Sequence, residues 1–132
     1  MKYSDDKSMY QELSNCCIDL QVISRTKELV ELRAEFLFPE DFVGFAGHFP
    51  GQPILPAISQ FAMVRLASER GLEQKLMPQA FVKTKFTGVV QPGDRPSVTV
   101  RLERINGNWA GKFRISRRGG LKISAGEIRF CS

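Results

Sequence analysis

The chain has 132 residues, 42% of them hydrophobic, and carries a formal net charge of +5. This size and apolar content predict one globular domain over residues 1–132. No apolar run is long enough to span a membrane, and the polar N-terminus lacks the apolar core of a secretion signal. The basic excess grows after Lys83, but no nucleic-acid-binding motif accompanies it. We therefore expect a solvated charged face and no nucleic-acid partner.

The three cysteines, Cys16, Cys17 and Cys131, indicate a reducing cytoplasm. An odd count leaves one thiol over, and adjacent cysteines rarely bridge each other. One histidine and a pair of neighbouring cysteines do not form zinc-ligand spacing, so no metal or other cofactor is expected. Cys16 and Cys131 fall in predicted strands, where we expect them to be buried as small apolar groups.

The first third of the chain predicts a short helix and two strands. The helix is placed at residues 4–13 and the strands at 16–23 and 28–38, with the polar turn SRTKE between the strands. Apolar and charged residues alternate along the second strand with the period of two of a half-buried strand. Residues 39–56 contain four prolines and three glycines, which excludes regular structure there.

The middle of the chain predicts the central helix of the domain. The helix starts at residue 56 or 57, where Pro56 suits a first turn. It ends near Arg70, and Gly71 suits the position just after the C-cap. Between residues 57 and 67 the only charge is Arg65. A helix that is apolar on nearly all sides is expected to be buried.

The remaining sequence predicts four strands at residues 79–90, 97–105, 108–117 and 121–130. PGD at 92–94, NGN at 106–108 and RRGG at 117–120 predict the turns between them. The apolar alternation of the last strand changes phase near Gly126, which predicts a bulge there. One helix and about six mostly antiparallel strands make an α+β domain whose sheet wraps around the helix.

Residues 47–60, GHFPGQPILPAISQ, resemble the active-site segment of the hot-dog-fold 3-hydroxyacyl-[acyl-carrier-protein] dehydratases, which is roughly GHFPxxPxxPG. KF at 85–86 and VVQPGD at 89–94 resemble that family's strand ending in PGD, and order and spacing agree over about residues 15–131. The position of Gln60 is similar, more loosely, to that in the stand-alone dehydratase-like proteins of aryl polyene pathways. The resemblance implies a hot-dog fold, a dimer, and an acyl thioester of an acyl carrier protein or coenzyme A.

His48, the single histidine of the chain, stands at the position of the catalytic base in that family. Dehydration removes the proton alpha to the thioester carbonyl, and imidazole has the near-neutral pKa that this step needs. The backbone N–H groups of Ala57 and Ile58, where the chain enters the helix, are the expected donors to the oxyanion. The family has glycine where this chain has Ala57, and the backbone donor survives that change.

The acid partner of the histidine is missing. In the family an Asp or Glu follows the histidine by fourteen positions, and here that position is Ala62. Glu69 lies two helical turns further on, roughly 10 Å along the axis, and is expected to be solvated. The candidate substitutes are Gln60, Glu40 and Asp41, the last two only if their loop folds back onto the site.

Three functions remain open from the sequence. The first, which we favour, is a dehydratase-like enzyme with a replacement acid or an unusual substrate. The second is a non-catalytic or half-site subunit, because the family builds each site across a dimer interface. A chain with the histidine and no acid can then complete a heterodimer with another hot-dog chain. The third is a hot-dog thioesterase. Such enzymes usually also need a carboxylate near the thioester, so the alanine at position 62 argues against this function as much as against the dehydratase.

Overall fold

Two helices and six strands make up the described part of the chain, which in the computed structural model is residues 3–42, 45 and 54–131. The elements in chain order are α1 (Tyr3–Cys16), β1 (Cys17–Arg25), β2 (Leu29–Phe36), α2 (Ala57–Leu72), β3 (Met77–Phe86), β4 (Ser97–Ile105), β5 (Asn108–Ser116) and β6 (Lys122–Cys131). His48 lies outside the described residues. Over the described ranges, no helix has both the length and the apolar character needed to cross a bilayer.

The six strands form one sheet in the order β1-β2-β4-β5-β6-β3. Every neighbouring pair is antiparallel. α2 packs on one face of this sheet, against β1, β2 and β4. The structure therefore confirms the predicted α+β class and the sheet around a central helix, and it makes β1 and β3 the two edge strands.

The alternation predicted for the second strand is confirmed in β2. Its four apolar side chains facing α2 are buried, and the side chains between them point to the outer face of the sheet. Where α2 crosses β2, an added Cβ on Gly71 would collide with the side chain of Leu32. Glycine at position 71 thus lets the helix lie close to the sheet. The prediction that Gly71 lies just after the C-cap is wrong, because α2 continues to Leu72. Glu73 is the C-cap and has a left-handed φ of 55°.

Several element ends differ from their predicted positions. α1 runs to Cys16, so this residue ends a helix and does not begin a strand. β3 starts at Met77 and ends at Phe86, before the predicted end at residue 90. After β3, the backbone N–H groups of Thr87 and Gly88 both donate to the carbonyl oxygen of Ile123, at 2.8 and 3.0 Å. Because both groups share one acceptor, the chain leaves the regular ladder of the sheet here. An alternation of apolar and polar residues does not reveal this end of the strand.

The bulge expected at Gly126 lies instead in the neighbouring strand. β3 has one extra residue between Val82 and Lys85 relative to β6, and Lys83 there has a left-handed φ of 52°. Gly126 lies opposite this bulge, where an added Cβ would be 2.5 Å from Oγ1 of Thr84. Glycine is therefore required because the bulged strand approaches it closely, and not because it is itself the bulged residue.

Glu69 holds α1 against the C-terminal half of α2. The hydroxyl of Tyr10 donates to Oε1 of Glu69. Oε2 accepts the backbone N–H of Leu76 at 2.8 Å and lies 3.5 Å from Nε of Arg65. The Arg65 guanidinium also lies 4.9 Å from the centre of the Tyr10 ring. The Glu69 side chain is only 15% exposed, so the expectation that it is solvated is wrong.

Replacing Tyr10 with phenylalanine keeps the ring and removes the donor to Glu69. We expect the free energy of unfolding near neutral pH to fall by about 1–3 kcal/mol, because a buried carboxylate loses a partner. Burial and the hydrogen bond to Glu69 raise the pKa of Tyr10. The stability that this group contributes is therefore complete below the unfolded pKa of about 10 and is lost as the pH rises further.

Denaturant unfolding of wild type and Tyr10→Phe, near neutral pH and in alkaline buffer, measures both effects. The difference in the free energy of unfolding between wild type and Tyr10→Phe should shrink in alkaline buffer. Glu73→Gln, at an exposed carboxylate just after α2, is the control and should change little. Equal stability of wild type and Tyr10→Phe near neutral pH would show that the contact does not hold α1.

The cysteines also differ from expectation in their positions. Cys16 is buried, as predicted, although it ends a helix, whereas Cys131 is only half-buried. Burial raises the pKa of the Cys16 thiol to about 11, and the charges of Glu12 and Asp41 act in the same direction. Since the thiolate is the nucleophile, Cys16 should be the least reactive of the three thiols.

Alkylation of the native protein, followed by mass spectrometry, should modify Cys17 and Cys131 before Cys16. The denatured protein should react at all three positions. Cys16→Ser should leave the amount of rapid alkylation of the native protein unchanged, whereas the neighbouring Cys17→Ser should reduce it. Native Cys16 that reacts as fast as Cys17 would contradict its place in the core.

Candidate active site

One side of α2 faces away from the sheet and carries the central part of the candidate site. The first two turns present four residues on this side, Ala57, Ile58, Phe61 and Ala62, which we call the open stripe. Ile58 is 56% exposed, and Ala62 is half-buried. The expectation that α2 is buried on nearly all sides is therefore wrong for the single chain. A helix lying on one sheet is covered by it on one side only.

The start of α2 presents the two backbone donors that the sequence assigned to the oxyanion. Pro56 is the N-cap and supplies no side-chain cap. Its carbonyl oxygen accepts from the N–H groups of Ser59 and Gln60, at 3.1 and 3.2 Å. The N–H groups of Ala57 and Ile58 precede these and have no acceptor within the described part of the chain. They lie at the positive end of the helix dipole, where an oxyanion is favoured.

The segment that enters α2 is tied to the turn containing PGD. The N–H of Leu55 donates to the carbonyl oxygen of Val90 at 2.8 Å. Within the turn, Oδ2 of Asp94 accepts a backbone N–H at 2.8 Å. Gly93, with a φ of 87°, donates its N–H to the carbonyl oxygen of Phe38 at 2.7 Å. The PGD motif, which the sequence predicted as a turn between strands, also anchors the chain beside the start of α2.

Gln60, a candidate substitute for the acid, lies in the core and not on the open stripe. It is 3% exposed, and its Oε1 accepts a hydrogen bond of 2.7 Å from Oγ of the fully buried Ser124. Two residues along a helix correspond to about 200° of rotation, so Gln60 and Ala62 point to different sides of α2. The structure does not bring these two side chains together.

Ser124 is a residue that sequence analysis missed. Relative to β5, β6 has one extra residue at Ile123. Ile123 and Ser124 are consequently both buried, although consecutive strand residues normally face opposite sides. No alternation pattern reveals such a site, and Gln60 inside an apolar helix was the one available sign that a polar partner was needed.

The other two candidate substitutes, Glu40 and Asp41, are exposed in the segment after β2. Asp41 is close enough to Cys16 to raise the pKa of that thiol, which places its charge near the end of α1. His48 lies outside the described residues, so its role as the base stays a prediction. The described residues include no acid on the first turn of α2 and no group of metal-ligating side chains placed to hold an ion.

The apolar surface of the open stripe continues onto the edge strand β3. The Phe61 ring stacks on the Phe81 ring with a centroid distance of 3.9 Å. The centroid of the Phe86 ring lies 5.8 Å from that of Phe61. Phe86 is 46% exposed. An apolar wall that ends at two backbone donors without an acceptor among the described residues suits an acyl chain and its thioester carbonyl. The open stripe itself carries no proton donor.

Comparisons with known proteins identify the family and the fold of the chain. The family model for ApeI-like proteins, described as ApeI dehydratase, matches residues 24–127. The 3-hydroxyacyl-[acyl-carrier-protein] dehydratase FabZ of Ligilactobacillus salivarius (strain UCC118) is 34% identical over 93 residues, which are 65% of this chain and 66% of the relative. FabZ of Roseobacter denitrificans (strain ATCC 33942 / OCh 114) is 36% identical over 93 residues, 64% of this chain and 59% of the relative. The chain thus spans slightly less than two thirds of the length of these curated relatives.

A solved structure of the dehydratase heterocomplex ApeI:P from Xenorhabdus doucetiae matches with a TM-score of 0.66 and 21% identity. The match covers 88% of this chain and 96% of that one. This likeness confirms the hot-dog fold. Because the ApeI-like family model covers most of the sequence, the protein belongs to the ApeI-like dehydratase family.

Proposed function

We propose that the protein acts on 3-hydroxyacyl thioesters of an acyl carrier protein or coenzyme A, as a dehydratase-type subunit in a dimer. The observation that carries the proposal is the open stripe, an apolar wall that ends at the N–H groups of Ala57 and Ile58, which have no acceptor in the described ranges. The names of the FabZ relatives, which are 3-hydroxyacyl-[acyl-carrier-protein] dehydratases, support the choice of substrate.

In the proposed reaction, His48 takes the proton from C2 of the acyl group. The negative charge moves to the thioester oxygen, where the N–H groups of Ala57 and Ile58 stabilise it. The C3–O bond then breaks, and the hydroxyl takes up a proton and leaves as water. That proton must come from elsewhere, because position 62 is alanine. A positioned donor contributes about 10²–10⁴-fold, so we expect the chain alone to be slow.

The proposed working unit is a dimer formed along β3 and the open stripe. β3 pairs with β6 on one side only, and open sheet edges are normally paired or covered. Ile58, Met77 and Phe86 are 56%, 61% and 46% exposed on α2 and β3. Burying such apolar area contributes about 25 cal/mol per Å². A second hot-dog chain on this surface would cover both the edge and the stripe.

A second candidate is the half-site subunit of a heterodimer. The similar ApeI:P structure is a dehydratase heterocomplex, and a different hot-dog chain with an acid at the position matching Ala62 would supply the missing donor. A hot-dog thioesterase is the weaker alternative. It needs a carboxylate near the thioester, and the part of α2 that carries the open stripe has none.

Ala62→Glu tests whether position 62 faces the reacting group. The partly apolar surroundings should raise the pKa of the introduced carboxyl, because desolvation disfavours its charged form. A protonated carboxyl can donate to the leaving hydroxyl. We expect the rate at which the protein hydrates a short 2-enoyl thioester to rise by about 10²-fold or more. Mass spectrometry of the product measures this rate. Adding His48→Ala should abolish the gain.

Ala110→Glu is the matched control, because Ala110 is also half-buried but points to the outer face of the sheet. Folding and mass of each variant are checked first, since a poorly paired buried polar group costs about 1–3 kcal/mol. A folded, dimeric Ala62→Glu variant that binds the thioester and gains no activity would contradict the proposed position of residue 62.

The dimer has its own test in two charge insertions on the opposite edges of the sheet. Phe86→Asp on β3 should shift the mass measured by light scattering from dimer towards the 14.9 kDa monomer. Val22→Asp on β1, where the side chain is 40% exposed, should leave the dimer intact. A monomeric wild type at micromolar concentration would exclude the homodimer. Dissociation by Val22→Asp, without dissociation by Phe86→Asp, would place the interface on β1 and contradict an interface on β3.

A further inference from the structure

A cleft lined by arginines lies on the outer face of the sheet, opposite α2. It has a volume of about 340 Å³ and lies where β2 ends and β4 begins. Its cationic side chains, Arg33, Arg95, Arg117 and Arg118, define what we call the arginine cleft. An adjoining cavity of about 240 Å³ shares three of them. The two cavities form one cationic surface at the end of the sheet where α2 starts.

The positive charge of the arginine cleft is not balanced by neighbouring carboxylates. Glu35, in the lining of the cleft, pairs with Arg95 at 3.2 Å. Asp94, in the lining of the adjoining cavity, accepts the backbone N–H of Gln91. No ion pair joins Arg33, Arg117 or Arg118 to a carboxylate within the described ranges. Further along the same face, Arg101 and Glu31 form such a pair at 3.8 Å. The cleft thus holds a local excess of positive charge.

Several guanidinium groups of the cleft are held in place. Arg117 donates from Nη2 to the carbonyl oxygen of Val89 at 2.7 Å. Arg33 donates from Nη2 to Oγ of Ser97 at 3.0 Å. Nε of Arg95 is buried and has no hydrogen-bond partner among the described residues. A buried unpaired donor is unfavourable and calls for an acceptor. Hydroxyl groups complete the lining: Ser97, Thr99 and Ser116.

We propose that the arginine cleft binds a phosphate group. The planar fork of arginine matches phosphate oxygens in pairs of hydrogen bonds, and hydroxyl side chains supply further donors. The cleft is linked to the candidate active site through two adjacent residues. Arg117 bonds to Val89, and the next residue, Val90, accepts from Leu55 just before α2. A phosphate in the cleft would therefore lie at the end of the sheet where α2 begins.

Two phosphate-bearing molecules suit this position, and this choice rests on the proposed function. One is coenzyme A, through the phosphates of its nucleotide. The other is the phosphopantetheine arm of a carrier protein, through its single phosphodiester. Recognition of phosphate itself does not depend on the reaction, so it can be measured with inorganic pyrophosphate and without any activity assay.

Calorimetric titration at low salt, with pyrophosphate as the probe, compares wild type with the double variant Arg33→Glu/Arg118→Glu. Arg117 is left unchanged because it also holds Val89. We expect the affinity to fall by about tenfold or more, because charge-assisted hydrogen bonds are lost. The matched control is Lys112→Glu/Arg129→Glu, which changes the net charge equally at exposed positions of the same face and should bind as the wild type does.

The same variants titrated with coenzyme A, pantetheine and a holo acyl carrier protein identify the source of the phosphate. Pantetheine has no phosphate and should bind equally to all variants. A loss confined to coenzyme A assigns the nucleotide, and a loss confined to the carrier protein assigns its phosphodiester. Unchanged pyrophosphate affinity in the folded Arg33→Glu/Arg118→Glu variant, or an equal loss in the control, would overturn the proposal. Either result leaves the proposed dehydratase activity untouched.

Discussion

The contact between α2 and one face of the sheet sets the form of the whole protein. A single sheet covers a helix on one side, so the residues of α2 divide into a buried half and the open stripe. Gly71 lets the helix approach β2 closely, since a Cβ there would collide with Leu32. The apolar open stripe and the unpaired edge of β3 then lie next to each other. Both call for a covering partner, which is why we describe the site and the dimer as one surface.

Polar contacts inside the core fix this arrangement. Gln60 bonds to Ser124 between α2 and β6, and Asp94 stabilises the turn that supports the start of α2. Glu69 joins both helices through Tyr10. A buried polar group costs free energy unless it is paired, so these contacts favour one packing of the helix over others. The two backbone donors of the open stripe are thereby held at a fixed end of the apolar wall.

Sequence patterns predicted the parts of the fold that depend on local periodicity. The alternation of β2 and the apolar run of α2 follow directly from side chains that repeat with the strand or helix period. The close approach at Gly126 and the pairing of Ser124 with Gln60 depend on bulges, which change the register of strands far apart in the chain. Glu69 was misjudged for a related reason, because its partner Tyr10 is on another helix. Contacts of this kind are invisible to a local pattern.

The candidate site was predictable only in part. The start of α2, with Ala57 and Ile58, was placed by its proline and by the motif before it. Gln60 could not be excluded as a substitute for the acid until the side of α2 on which it lies was known. Residues half a turn apart on a helix point to opposite sides, so one faces the sheet and the other faces away from it. The resemblance to the dehydratase family implied an acid where this chain has Ala62, and its absence remains the reason that we expect a second chain or group to supply the proton.

Backbone amide chemical shifts provide the most direct test that the open stripe binds the acyl thioester. The ligand would be a stable amide analogue of a short 3-hydroxyacyl pantetheine, titrated into isotope-labelled protein. We expect the largest shifts at the amides of Ala57 and Ile58, because these N–H groups meet the ligand carbonyl, and smaller shifts at Phe61 and Ala62. Shifts concentrated on β1 or on the outer face of the sheet, with α2 unchanged, would contradict it.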